Sequence, residues 1–274
     1  MTDRLDLFFR AHTVPVTPQK EYRSKRHAPP PKDALIFRCA TTNDEKKELL
    51  FGAYICAERE DREYRAKEIG LFYRDGHPEE FRALKRFVKD SAYELGSETQ
   101  FRRYVFLKYL KADALVVAHD APGQVSRFAI KWNKSQKRPR AFSFYFRMFR
   151  DKKTGKIRPS GYEPGLSIQS LDASKAIYRF IKYKFHDEDA EREEEKEQQF
   201  SNVHMLDLKT LVAVVTGESH TFRAACKIFG VSVSRARKSY PRVTKPAIES
   251  LLRDVAAELE LLNRLKEEFD RHVA

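Results

Sequence analysis

Apolar residues run almost unbroken from Ala34: ALIFRCATT, then ELLFGAYICA after the polar residues around Asn43 and Asp44, then EIGLFY before Asp75 and Gly76. Three such runs separated by turn residues predict a three-stranded meander, and strands this apolar need cover on at least one face. Over residues 77–90 the period changes. Phe81, Leu84, Phe87 and Val88 recur at helical spacing, with Pro78, Glu79 and Glu80 in the first turn. Further helices are predicted over residues 99–111 and over QVSRFAIKW, on either side of a buried strand in ADALVVAH.

Beyond these, AFSFYFRMFRDKKTGKIRP sets Phe142, Phe144, Phe146 and Met148 against Ser143, Tyr145 and Arg147, which predicts a hairpin turning at Lys153-Thr154-Gly155. HMLDLKTLVAVVTG and SHTFRAACKIFGV read as two helices parted by Thr216-Gly217-Glu218-Ser219, with Ser219 as the second helix's N-cap. A long closing helix begins near Pro246. Its stripe is Ile248, Leu251, Leu252, Val255, Leu259, Leu262, Leu265 and Phe269. The order of elements predicts an α/β domain over residues 33–274, with a mixed sheet, flanking helices and a helical C-terminal region. Residues 1–32 form a basic, proline-containing arm, and 186–199 an acidic loop or helix end.

Charge sharpens the functional classes. The 274 residues carry a net +13. Residues 186–197, HDEDAEREEEKE, hold eight acids against Arg192 and Lys196, a local −6 that leaves +19 for the rest. A surface this basic favours a polyanion, because neutralising phosphates releases counterions. The densest stretch is 131–158, with eleven Lys or Arg against Asp151. Lys131, Lys134, Lys137, Arg138, Arg140, Lys152, Lys153 and Lys156 are the candidate phosphate contacts, and Trp132 or Tyr145 the candidate stacking residues.

Cys39, Cys56 and Cys226 form no CxxC pair and no zinc spacing, which points to a reducing compartment. No stretch of eighteen apolar residues occurs, so the expectation is a soluble, cytoplasmic protein without a membrane partner. No Gly-x-Ser-x-Gly or phosphate-cradling glycine loop is present, and no small-molecule substrate is implied.

Three blocks, LIFRCATT, LVVAHDAPGQVSRFA and SLLRDVAAELELLNRL, taken in order resemble the motifs of DEDD-type 3′–5′ exonucleases, especially the proofreading domains of family B polymerases. The resemblance covers most of residues 34–272 and implies a ribonuclease H-like fold. That family needs four carboxylates around two divalent metals. Here the first block has Arg38 and Ala40 at the acidic positions, the second has Gln124, and the third keeps Asp254 with Ser250 in place of its tyrosine.

The resemblance thus implies a chain that binds nucleic acid, DNA or RNA, without cutting it and without a metal cofactor, as a subunit of a larger complex. Arg38 would repel metal ions and could hold a phosphate instead, or could turn to solvent at a strand edge. Three alternatives remain. One is an active Mg2+- or Mn2+-dependent nuclease, should Asp44, Glu45, Asp120, Asp207 and Asp254 converge. Another is a helix-turn-helix regulator through TFRAACKIFGVSVSRARK, with Arg235, Arg237 and Lys238 on its second helix. The third is a protein-binding scaffold.

Overall fold

The structure, a computed structural model, describes residues 30–112, 114–135, 139–151, 155–160, 163–172, 176–181, 204–233 and 239–273. The arm up to residue 29, the acidic run, Lys137, Arg138, Lys152, Lys153 and the Arg235, Arg237 and Lys238 cluster lie outside these residues.

The described residues open with β1 (Asp33–Thr42), β2 (Leu49–Glu60), β3 (Glu63–Tyr73) and α1 (Pro78–Val88). Next come β4 (Glu94–Ser97), the short α2 (Glu98–Gln100), a π-helical stretch (Phe101–Phe106), α3 (Leu107–Lys111), β5 (Leu115–Ala118) and α4 (Ala121–Val125). Six strands follow: β6 (Lys131–Lys134), β7 (Ala141–Tyr145), β8 (Met148–Arg150), β9 (Ile157–Pro159), β10 (Gly165–Ser170) and β11 (Ala176–Ile181). The chain ends with β12 (Met205–Asp207), α5 (Leu208–Thr216), α6 (Phe222–Ile228), β13 (Ser239–Tyr240) and α7 (Lys245–Val273).

The main sheet has the order β12-β5-β1-β2-β3-β4, and β13 joins β1 beyond the end of β5. Only β2 runs against its neighbours; every other pairing in this sheet is parallel. This is a ribonuclease H-like mixed sheet. Its central strand shows why the sequence reads as a nearly continuous apolar run. Ala34, Ile36 and Ala40 of β1 enter the core under α5, α6 and α7, while Leu35, Phe37 and Cys39 enter the opposite core. A strand covered on both faces has no solvent side to alternate with.

The opposite core is aromatic. Phe37, Phe101, Phe106, Phe128 and Phe146 meet at ring separations of 4.8 to 6.4 Å. Over it lies a second, antiparallel sheet of order β11-β10-β7-β6, which contributes Phe144, Leu166, Ile168 and Tyr178. A Cβ at Gly52 of β2 would run into the Phe72 ring, so only glycine lets that ring lie flat across the strand and stack on Phe101 at 4.0 Å.

Four expectations change. QVSRFAIKW is not one helix: α4 ends at Val125, the chain turns through Phe128, and Lys131–Lys134 pairs with β7 as a strand. Short apolar runs carry too little period to separate the two states. HMLDL is not helical at its start, because Met205–Asp207 pairs in parallel with β5 before α5 begins. The single predicted hairpin is broken at Phe146-Arg147: β7 joins the second sheet, and β8 pairs with β9 across the turn at Gly155 (φ 67°). Thr221, not Ser219, caps α6. Gly217 closes α5 in the left-handed region (φ 79°), as expected. After α6 the chain turns at Gly230 (φ 66°), and no second helix follows among the described residues up to β13.

Candidate functional site

β5 pairs with β1 only through Ile36, and β13 takes up the same edge at Thr41, so the edge between them is open to other partners. Gln124 fills part of it. The Cys39 N–H donates to Gln124 Oε1 at 2.7 Å, which ties α4 to the central strand. The turn into α4 is held from below. Asp120 takes a left-handed conformation (φ 64°), and the Asp120 and Ala121 N–H groups donate to the Asp207 carboxylate at 2.9 and 3.2 Å. Asp207 also caps α5 through the Lys209 N–H at 2.9 Å. Burial pushes its carboxyl up to about 6, against the pull of those three N–H donors. The buried Tyr178 of β11 lies against this carboxyl without completing a well-formed hydrogen bond.

On the α7 side of β1 the geometry centres on Arg38, which is 7 % exposed. Asp254 and Glu258 stand one turn apart on α7 and therefore share a face. Arg38 Nη1 donates to Glu258 Oε1, and Arg38 Nε lies 3.8 Å from Asp254 Oδ2. The guanidinium carbon sits 4.1 Å from the centre of the Phe222 ring of α6. That ring meets the His119 ring at 5.4 Å. Glu258 is fully buried, and burial pushes its carboxyl up to about 7 despite the Arg38 charge and the His119 N–H, which both favour the ionised form. Glu258 Oε2 has no hydrogen-bond partner among the described residues.

Arg38, Gln124 and Asp254, which belong to three distant stretches of sequence, thus converge around β1. Ala40 is 1 % exposed and is a core residue. The reading in which Arg38 turns to solvent is overturned, because its guanidinium is enclosed between α6 and α7. Glu258 went unread in the sequence. Its only signal is its place four residues after Asp254, on the same helical face.

Asp44 and Asp207 have partners of their own, away from Arg38. Asp44 is held in the β1–β2 turn by Thr42 Oγ1 and the Lys47 N–H, and Asp207 by its three backbone donors. Among the described residues, no group of three or more His, Cys, Asp or Glu side chains is arranged to hold a metal ion.

The basic candidates lie on the second sheet and its loops. β6 is the outermost strand, and Lys131, Trp132, Asn133 and Lys134 are all exposed. Arg140 and Lys156 are exposed as well. Arg140 sits in a left-handed turn (φ 55°), its guanidinium 3.4 Å from the Leu171 carbonyl. Tyr145 is half-buried, its ring packed over Gly165, where a Cβ would come within 3.1 Å of it. Among the described residues, no helix is long and apolar enough to cross a membrane. Comparison with protein-family models gave no match, and comparison with curated proteins gave none either.

Proposed function

We propose that this protein binds nucleic acid on a fold related to the DEDD exonucleases, does not cut it, and works within a larger nucleic-acid-processing complex. One observation carries the reading: the Arg38 guanidinium lies among the carboxylates of Asp254 and Glu258. In the family this chain resembles, acids from the first and third motifs share divalent cations that activate water and stabilise the leaving oxygen. Here a side chain supplies the positive charge that such acids need. These residues do not fit a two-metal centre, since an ion entering would meet a fixed cation in a weakly screened site. The neutral Gln124 at the second-motif position supports the same conclusion, because its oxygen is engaged by the β1 backbone.

Binding rests on charge. The exposed Lys131, Lys134, Arg140 and Lys156, with Lys137, Arg138, Lys152 and Lys153 beside them in sequence, make the segment that a phosphate backbone would meet. The test follows a labelled strand through a salt series, with Mg2+ or Mn2+ present. Intact strands bound with a steep salt slope are expected. Metal-dependent shortening from the 3′ end would overturn the inactive reading, and absent binding at low salt would overturn the nucleic-acid reading.

A further inference from the structure

We propose that Trp132 is a base-stacking platform, so that the preferred polymer is single-stranded nucleic acid lying along the outer edge of β6; this rests on the nucleic-acid reading above. The observations concern one strand. β6 closes the second sheet on its outer side, and a strand edge rich in lysine resists pairing with another protein strand. Trp132 is 57 % exposed, which is unusual for the largest apolar side chain in water. It is nonetheless held in place. Its ring meets Phe142 at 5.8 Å in an edge-to-face contact, so one side is braced while more than half of the residue stays open.

Lysines stand on either side of the indole in sequence. Lys134 shares its face of the strand two residues on, about 7 Å away along the chain, while Lys131 belongs to the opposite face. Braced aromatic faces flanked by lysines suit unpaired bases with their phosphates, because stacking tolerates any base while the cations follow the backbone. A duplex offers no such contact, since its bases are already stacked on one another. The other stacking candidate, Tyr145, is committed to packing over Gly165. The register of β6 on β7 sets Trp132 opposite Phe144, on the face that Phe144 turns to the core, and it is the place of β6 at the end of the sheet that leaves the indole at the rim of that face.

Trp132 is the only tryptophan in the chain, so its emission reports on this one residue. The experiment titrates the full chain with oligo-dT, oligo-U, a duplex of equal length and heparin, a polyanion without bases. Tryptophan emission and the anisotropy of a labelled strand are followed together. The expected result is quenching by a single strand in step with its binding, and none by heparin or by the duplex. Trp132→Ala is expected to weaken single-strand binding about 5- to 150-fold, while Trp132→Phe keeps most of the affinity. Strand binding without quenching, or unchanged affinity in Trp132→Ala, would overturn the stacking role and leave polyanion binding standing. Equal quenching by duplex would overturn the single-strand preference. No binding of any of the four polymers at low salt would remove the reading beneath it.

Discussion

Arg38 and the lysines of β6 are both cations on strands, yet their surroundings give them opposite uses. Arg38 is enclosed by Phe222, Asp254 and Glu258, and its charge is answered inside the protein. Lys131 and Lys134 stand exposed on an outer strand, each two residues or fewer from Trp132. A buried charge must be matched within the fold, whereas an exposed one stays available for a partner. The net charge of the chain therefore says little about either site until burial sorts its cations. The molecule holds Arg38 in an internal ion pair under α7 and carries the exposed lysines of β6 on a separate sheet.

The largest effect is expected from breaking the internal pair. Arg38→Ala leaves the fully buried Glu258 without a counter-charge and should cost about 3–5 kcal/mol in a denaturant melt. Arg38→Met with Glu258→Leu removes both charges, and most of that loss should return. If the double variant were as unstable as the single one, packing and not charge would hold α7 against β1.

A smaller effect should appear in the dependence of stability on pH. Burial raises the Glu258 carboxyl to about 7 and the Asp207 carboxyl to about 6, from ordinary values of 4.5 and 3.8. Both groups bind a proton more tightly in the folded state. Their contribution is therefore complete below about pH 4 and is lost as pH rises through 6 and 7. Melts from pH 5 to 8 should show a falling midpoint, with on the order of 2–3 kcal/mol tied to Glu258. Glu258→Gln should flatten the upper part of that fall. The β6 lysines, being exposed, should leave this profile unchanged when replaced, which separates the two regions by a second measurement.

The sequence makes the two regions legible to different degrees. β1, β2 and α7 read clearly, because local pattern and tertiary environment agree there: unbroken apolar runs in doubly covered strands, and one continuous stripe on the closing helix. Arg38, Gln124 and Asp254 stand out through the order and spacing of three blocks; Arg38 belongs to β1, Gln124 accepts from its Cys39 N–H, and Asp254 reaches it through Arg38. Glu258 was hidden because hydropathy assigns a glutamate to the wet face of a helix, although the partner that lets it be buried lies 220 residues away. β6 was misread for the opposite reason. Lys131-Trp132-Asn133-Lys134 is exposed throughout, so no alternation betrays a strand, and only its pairing with β7 defines it. Secondary structure set by long-range pairing leaves little trace in a short window of sequence.

The smallest effect is the one that tests the exposed side of the comparison. Lys131→Ala with Lys134→Ala should lower affinity for a single strand by about tenfold or less at low salt, and should reduce the salt slope by about 1.4 for two phosphate contacts. Thermal stability should stay within about 0.5 kcal/mol of the parent, as for most surface substitutions. The pattern matters more than the size. A drop in affinity that persists unchanged at high salt would mean that the lysines act by shaping the edge around Trp132, and an unchanged slope would move the polyanion contact off β6 altogether. Arg38→Met with Glu258→Leu supplies the matching control: it alters the charge inside the fold, and should leave the salt slope where it was.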